Sequence, residues 1–201
     1  LFLEFGVATG NTIRAIAAHA PAGKTVYGFD SFSGLPGDWT GHVETSGAFE
    51  QKAVPKVPSN VSLVRGLFED SLPGFMAENA GPVSFAHIDC DLYSSTVTIL
   101  EHIGPHLQTG TLVLFDEYFN YPGWKLHEHK AWAEFCQTNG VRYSYIGLTA
   151  LDGRVLVRID LPPSNSFSLW FAASKSLVCK DFRRYFFSSA IHIRNCHTSP
   201  D

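Results

Sequence analysis

Three aspartates stand where a sheet of parallel strands would bind a ligand. Asp30, Asp89 and Asp116 each follow directly on a short apolar run of the chain. In open α/β sheets the carboxyl ends of the strands border the ligand crevice, so three acids at that edge predict a site. Each aspartate alone is equally typical of a residue that caps the next helix. Together they suit proton transfer or the binding of a hard divalent cation.

The first apolar run ends in a turn that contains Gly6 and Gly10. Gly6 permits a sharp turn, and Gly10 lets a ligand approach the backbone where the next helix starts. The G-x-x-x-G spacing differs from the G-x-G-x-x-G fingerprint of dinucleotide enzymes. Asp30 ends the following apolar run, where a carboxylate would accept hydrogen bonds from both ribose hydroxyls. The turn and this acid together predict a nucleotide site.

Strands and helices alternate through most of the chain and place these residues. Apolar runs predict strands at 1–5, 25–29, 61–65, 83–88, 111–115, 142–146 and 154–159. Helical patterns lie at 11–19, 69–79, 95–107 and 125–139, and the polar stretch 31–59 predicts a loop with one irregular helix. This order predicts an α/β fold with a doubly wound, mostly parallel, Rossmann-like sheet and a C-terminal antiparallel hairpin.

Composition excludes several classes of protein. The chain has 201 residues, 45% of them hydrophobic, and a formal net charge of −4. This charge argues against nucleic acid or an anionic membrane as a partner, and no apolar run reaches the roughly 18 residues of a membrane span. Four cysteines are too few for a disulfide framework. We therefore expect a soluble, cytoplasmic protein.

The two ends of the chain differ from its middle. Leu1 already lies in what reads as a core strand, so we expect a truncated N-terminus before a domain that covers residues 1–160. Residues 161–201 carry five Lys or Arg against two Asp or Glu, while the preceding residues are net acidic. The apolar period is also lost there. We interpret 161–201 as an atypical tail and assign it no role.

Five short motifs occur in order between residues 4 and 118. They are EFGVATG at 4–10, FDSFSGLP at 29–36, GLFEDSLP at 66–73, HIDCDLYSST at 87–96 and FDEY at 115–118. With these motifs, residues 1–160 resemble the macrocin (TylF-like) O-methyltransferases. The resemblance implies a class I methyltransferase fold that binds S-adenosylmethionine, with Mg²⁺ or another divalent cation at the acids after the fourth and fifth strands.

The resemblance also implies a role for individual residues. It places the methionine end of the cofactor at Glu4 and the glycine turn, the ribose at Asp30, and the adenine beside Phe68 and Glu69. The predicted cofactor-binding set is Glu4, Gly6, Thr9, Gly10, Asp30, Ser31, Phe68 and Glu69. The predicted metal ligands are Asp89, Asp116 and Glu117, with Asp89 also the catalytic residue. Glu117 stands where such proteins often carry a second aspartate.

The reaction implied is methyl transfer from S-adenosylmethionine to a hydroxyl of a small molecule, either a sugar or a phenol. Such an enzyme mainly positions the nucleophile and removes its proton. The expected partner is that small-molecule acceptor, without nucleic acid or membrane, and a homo-oligomer is left open. Two alternatives compete: an NAD-dependent oxidoreductase of the same fold, and a truncated, non-catalytic paralogue that binds nucleotide.

Other polar residues near the motifs have plainer interpretations. Asp91 comes two residues after Asp89 and would point the other way in an extended chain. His87 is expected in the core, and His127 and His129 at an exposed helix start. The aromatic stretch 118–124 suits either a pocket wall or packing on its own helix.

Overall fold

The computed structural model describes residues 1–149 and 151–164. The strands are β1 (Phe2–Phe5), β2 (Val26–Asp30), β3 (Val61–Arg65), β4 (Phe85–Ile88), β5 (Leu112–Phe115), β6 (Arg142–Leu148) and β7 (Val155–Leu161). The helices are α1 (Asn11–His19), α2 (Phe68–Glu78), α3 (Tyr93–Ile103) and α4 (Glu128–Asn139). Short 3₁₀ turns occupy Gly104–His106 and Trp124–Leu126.

The strands form one seven-stranded sheet in the order β3-β2-β1-β4-β5-β7-β6. The first five strands in that order are parallel, while β7 pairs antiparallel with both β5 and β6. This architecture confirms the predicted mostly parallel α/β sheet and its C-terminal hairpin. The central strands β1, β4 and β5 are buried along their whole length, as expected of strands covered on both faces.

Apolar clusters on the two faces of the sheet hold the helices in place. On one face, Ile13 and Ile16 of α1 pack in a cluster with strand residues such as Val26 and Phe85. On the other, α2, α3 and α4 contribute to a larger cluster in which Trp132 is fully buried. The sheet therefore carries Asp30, Asp89 and Asp116 to one edge, between the two layers of helices.

The structure differs from the predicted elements in its irregular parts. Residues 31–59 contain turns and bends but no helix, so the predicted irregular helix is wrong. Glycines at 34, 41 and 47 take positive φ in this segment, which favours turns over helix. The helix after β4 ends at Ile103 because Pro105 cannot continue its hydrogen bonding.

In the part of the chain that the structure describes, none of the helices is long and apolar enough to cross a membrane. Of the predicted tail at 161–201, Leu161 ends β7 and residues 162–164 follow it. The rest of that tail lies outside the described residues.

Candidate active site

The turn after β1 is shaped by the end of β4. Gly6 has a φ of +91°, and a Cβ on it would lie 1.7 Å from the carbonyl oxygen of Asp89. Gly6 is therefore required for two reasons. It takes the positive φ of the sharp turn, and it leaves room for the backbone at the end of β4. Gly10 also has positive φ, and a Cβ on it would lie 3.1 Å from the side chain of Pro55, in the segment between β2 and β3. The structure thus gives Gly10 a protein neighbour at the start of α1.

Asp30, at the end of β2, ties the glycine turn to the next loop. Its Oδ2 accepts hydrogen bonds from the backbone N–H groups of Val7 at 2.8 Å and Ala8 at 2.7 Å. Its Oδ1 accepts one from Phe32 at 2.6 Å. A carboxylate offers about four acceptor positions, and these three bonds leave one of them unused. Asp30 therefore both fixes the turn and keeps a remaining acceptor.

A cavity of about 230 Å³ connects this turn with the acids at the ends of β4 and β5. The predicted residues that line it are Gly6, Asp30, Ser31, Phe68, Glu69, Asp89 and Glu117. The cavity is also lined by three residues of the segment between β2 and β3: Leu35, Trp39 and Phe49. Glu4, Thr9, Gly10 and Asp116 are not among its lining residues. Thr9 is exposed, whereas Glu4 is fully buried in β1.

A chain of charged side chains crosses the sheet beneath the cavity. His87 is fully buried in β4; its Nδ1 lies 3.0 Å from Oε1 of Glu4 and its Nε2 lies 3.3 Å from Oδ1 of Asp116. Arg154, just before β7, donates to the same aspartate from Nε to Oδ1 at 2.6 Å and from Nη2 to Oδ2 at 3.3 Å. Asp116 thus has two basic partners, His87 and Arg154.

These contacts set the ionisation of the four groups. Burial alone would raise the pKa of Asp116, but hydrogen bonds from His87 and Arg154 hold it below its ordinary value. Burial opposes a charged His87, yet its hydrogen bonds to Asp116 and Glu4 raise its pKa to about 10. Burial raises the pKa of Glu4. The negative charge of Asp116 is therefore stabilised by two cationic neighbours, His87 and Arg154.

Asp91 joins Asp89 instead of pointing away from it, so the predicted orientation was wrong. The chain is not extended there, because Asp91 has a φ of +64° and the N–H of Leu92 bonds to the carbonyl of Cys90 at 2.6 Å. This tight turn brings donor atoms of Asp89, Asp91 and Glu117 within 4.8 Å of one another. Donor atoms of His87, Asp89 and Asp116 form a second such group.

The predicted ligand set is therefore divided between two groups that share Asp89. Asp116 belongs to one of them and Glu117 to the other. Beside Glu117, Glu128 of α4 is fully buried and accepts a hydrogen bond from the Glu117 N–H at 3.2 Å. Oε2 of Glu117 and Oε1 of Glu128 are buried and have no hydrogen-bond partner among the described residues.

Burial and mutual repulsion raise the proton affinity of this second group and of Glu128 beside it. The pKa of Asp89 is well above its ordinary value, first because of burial and then because of the charge on Asp116. The same two causes raise the pKa of Asp91 to about 7. Burial, followed by repulsion from neighbouring acids, raises the pKa of Glu117 and Glu128 well above the usual range. A positive charge in this cluster would relieve the repulsion.

The structure also corrects the interpretation of the helix start at α4. His127 is only 5% exposed and lies with Nε2 2.8 Å from the backbone oxygen of Thr40, so it is not an exposed helix residue. His129 is half-buried and packs against Trp124 and Tyr118. None of the stretch 118–124 lines the described cavity, so its rings pack on their surroundings.

Sequence reasoning missed Glu128, Arg154 and Trp39. Glu128 lies between His127 and His129, at a helix start that was predicted to be exposed. Arg154 comes 38 residues after Asp116, the aspartate that it binds. Trp39 lies in a segment without periodicity, although it is 5% exposed and stacks on His42. No local pattern in the sequence links any of them to the acids.

Comparison with known proteins places this geometry in a family. A family described as "Methyltransferase domain" matches residues 3–118, which include the glycine turn and the acids after β2, β4 and β5. A relative from Streptomyces olivaceus is 30% identical over 138 residues, 58% of this chain and 52% of the relative. It is described as 8-demethyl-8-(2,3-dimethoxy-alpha-L-rhamnosyl)-tetracenomycin-C 4'-O-methyltransferase. The chain thus spans about half the length of this curated relative.

Solved structures share the fold. The calicheamicin methyltransferase CalS11 is 25% identical, with a TM-score of 0.61 over 78% of this chain and 71% of that one. The O-methyltransferase NovP is 24% identical, with a TM-score of 0.59 over 79% and 71% of the two chains. The second likeness concerns the fold alone.

Proposed function

The chain belongs to the methyltransferase-domain family, and from this premise we propose that it transfers a methyl group from S-adenosylmethionine to a hydroxyl of a small molecule. One observation carries the proposal. A single cavity is lined at one end by the glycine turn and Asp30, and at the other by Asp89, Asp91 and Glu117. A cofactor and a proton acceptor would therefore meet in the same space.

The cofactor end fits a nucleoside with an attached amino acid. Asp30 keeps an acceptor position for a ribose hydroxyl, and Phe68 offers an aromatic surface on the wall of the cavity beside Glu69. Gly6 and Ala8 line the cavity without a bulky side chain. Glu4 is fully buried against His87 and does not line the cavity, so its contribution to the cofactor site would be indirect. Thr9 and Gly10 remain predicted cofactor residues on the resemblance alone.

The transfer is an in-line displacement. The acceptor oxygen attacks the methyl carbon, the carbon–sulfur bond breaks, and its electron pair returns to sulfur as the sulfonium becomes a thioether. The proton of the hydroxyl passes to Asp89, whose pKa is raised by burial and by the charge of Asp116. In its ionised form, a carboxylate with a raised pKa is the stronger base toward this proton. Asp91 lies beside it and offers a second acceptor.

The acids at this end also fit a divalent cation. Asp89 belongs to both groups of donor atoms and would be their common ligand. Buried carboxylate oxygens without partners are hard donors of the kind that Mg²⁺ prefers. When bound, such a cation stabilises negative charge that develops on the acceptor oxygen. The macrocin-like resemblance supports this proposal of a cation, which the carboxylate cluster makes chemically reasonable.

A sugar is the acceptor class that we favour. The relative from Streptomyces olivaceus is described as acting on a rhamnosyl group, and it is 30% identical to this chain. Trp39 adds an aromatic side chain to the wall of the cavity that Asp91 also lines, and aromatic rings commonly pack against the apolar faces of sugars. Phenols fit the same wall and form the second acceptor class.

Parallel calorimetric titrations of the full chain with S-adenosylhomocysteine and NAD⁺ test the cofactor. We expect binding of the first only, and binding of NAD⁺ alone would support the oxidoreductase alternative. Transfer of labelled methyl from S-adenosylmethionine is then measured with deoxyhexose and phenol acceptors, in Mg²⁺ and in chelator. Cofactor binding without transfer to any acceptor would favour the non-catalytic paralogue.

A further inference from the structure

A groove of about 200 Å³ lies between α3 and α4 and shares no lining residue with the cavity of the candidate active site. Val97 of α3 and Phe135 of α4 line this groove, and both stay partly exposed although they pack against the large core cluster. The other apolar or aromatic side chains that line it are Tyr93, Leu100 and Ala131. Residues 1–149 and 151–164 therefore leave some apolar surface of the two helices uncovered.

The rim of the groove is acidic. Glu101 of α3 and Glu134 of α4 line it, and both side chains are exposed. Glu134 accepts a hydrogen bond from the hydroxyl of Tyr93 at 2.6 Å, and its Oε1 lies 3.9 Å from Nζ of Lys130. In the described part of the chain, no ion pair includes Glu101. An occupant that carries both apolar and positively charged side chains would therefore fit this groove.

The chain itself leads to one end of the groove. Beyond β7, Ser164 donates to the backbone oxygen of Asn139 from its N–H at 3.2 Å and from its Oγ at 3.4 Å. Asn139 ends α4 and lines the groove, so the last described residue is held beside it. The 12 residues of α4 span about 18 Å, and seven extended residues span at most about 23–25 Å. Residues 165–171 are therefore long enough to follow α4 along its whole length.

The residues that come after Ser164 match the groove in their chemistry. Phe167, Leu169 and Phe171 stand at every second position of the stretch SFSLWF at 166–171. Side chains with this spacing share one face of an extended segment. Residues 165–201 also carry five Lys or Arg against two Asp or Glu, whereas the groove presents two glutamates. The tail thus offers the apolar face and the positive charge that the groove lacks.

We propose that residues 165–171 pack into the groove between α3 and α4 of their own chain, with Phe167, Leu169 and Phe171 against its apolar lining. The basic residues further along the tail are then attracted to the acidic rim at Glu101. The segment covers the helices that follow β4 and β5, and so it supports the two strands that precede Asp89 and Asp116. This role of the tail goes beyond the proposed function and is independent of which cofactor or acceptor the protein binds.

Photo-cross-linking of the full chain tests this placement. Thr138 is exposed and lines the groove, so p-benzoyl-phenylalanine in its place would contact any segment that occupies the groove. We expect mass spectrometry to locate the cross-links within residues 165–171. A mixture of isotope-labelled and unlabelled chain separates cross-links within one chain from those between two copies. The same probe in place of Lys24, an exposed residue between α1 and β2, is the control and should not reach the tail.

Substitutions in the full chain test the individual contacts. Leu169→Asp places a charge on the face assigned to the groove, and it should lower the cross-linking yield at least about tenfold. Ser168→Asp alters the opposite face of the same segment and, as the matched control, should stay within about twofold of the parent. Glu101→Lys should lower the yield by about two- to fivefold, because an exposed charge pair contributes little. Glu78→Lys, at the exposed end of α2, should leave it unchanged.

Cross-links from position 138 to a second copy, or to no residue within 165–171, would overturn the inference. Equal yields in Leu169→Asp and Ser168→Asp would overturn it too. Thermal unfolding verifies that each variant is folded, and if Glu101→Lys is not, the two tail variants still decide the result. No readout here uses a cofactor or an acceptor, so a failure of the proposed methyl transfer leaves this result unaffected.

Discussion

At the scale of single residues, Asp30 shows how one side chain serves both fold and site. Its carboxylate accepts three backbone hydrogen bonds, from Val7, Ala8 and Phe32. These bonds hold the glycine turn against the loop after β2 at the mouth of the cavity. A ribose hydroxyl would find an acceptor whose position is already fixed, so little entropy is lost when the ligand orders it.

Asp30→Asn should therefore weaken S-adenosylhomocysteine binding by at least about tenfold, because hydrogen bonds to a charged acceptor contribute about 1.5–3 kcal/mol each. An amide has only one acceptor oxygen for the N–H groups that face it. Calorimetric dissociation constants measure the effect. Asp70→Asn, an exposed acid in the first turn of α2, is the matched control and should bind like the parent. Equal affinity in both variants would remove Asp30 from the cofactor site.

At the scale of elements, the ends of β1 and β4 are joined more tightly than their pairing alone requires. Four residue pairs put the two strands in register, and the N–H of Asp89 donates to the carbonyl of Phe5 at 2.9 Å. The Asp89 carbonyl then lies over the Cα of Gly6, where a side chain would collide with it. The position of Asp89 thus depends on the absence of a side chain at Gly6, after the neighbouring strand β1.

Gly6→Ala should destabilise the protein by more than about 2 kcal/mol, because it adds a clash with backbone to a positive φ. For a chain of this size, the melting temperature should fall by at least about 5 °C. Gly74→Ala in α2 is the matched control, since a Cβ there meets nothing within 4 Å. Alanine has the higher helix propensity, so that variant should melt at or slightly above the parent temperature. Thermal unfolding of both variants checks the pair, and similar melting temperatures would contradict the close approach.

At the scale of the whole molecule, the acids at one sheet edge make stability depend on pH. Burial first, then repulsion, raises the folded-state pKa of four carboxyl groups, to about 7 for Asp91. The other three are Asp89, Glu117 and Glu128. Between the ordinary pKa of a carboxyl group and these raised values, the folded chain binds more protons than the unfolded chain. Its free energy of unfolding therefore falls as pH rises through that window.

The metal-free chain should accordingly melt at a lower temperature at about pH 8 than at about pH 5. His87 adds to this loss above about pH 6.5, because its pKa is raised from 6.5 to about 10 and the folded chain keeps a proton that the unfolded chain releases. Mg²⁺ should raise the melting temperature more at the higher pH, since protons compete with the cation for the same oxygens. Thermal scans in chelator and in Mg²⁺ at the two pH values measure this. An equal shift at both pH values would argue against binding at the acid cluster.

Local patterns in the sequence were enough to predict the elements and the edge at which the site forms. Apolar runs that end in Asp30, Asp89 and Asp116 mark strands buried on both faces, and such runs are read from adjacent residues alone. Parallel order then brings the strand ends together whatever the detailed packing. The helix predicted within 31–59 is absent because the conformation of this segment depends on contacts with other loops. Gly41, for example, packs closely against the backbone of Pro122.

The sequence by itself determined the sheet, its hairpin and the presence of acids at the crevice, because strand burial and connection order are local properties. Only the tertiary structure decided which acids are compensated. Arg154 reaches Asp116 from 38 residues further along the chain, His87 bridges Glu4 and Asp116, and a turn with positive φ redirects Asp91. Electrostatic pairing depends on distance in space and on burial, and spacing along the chain encodes neither of these.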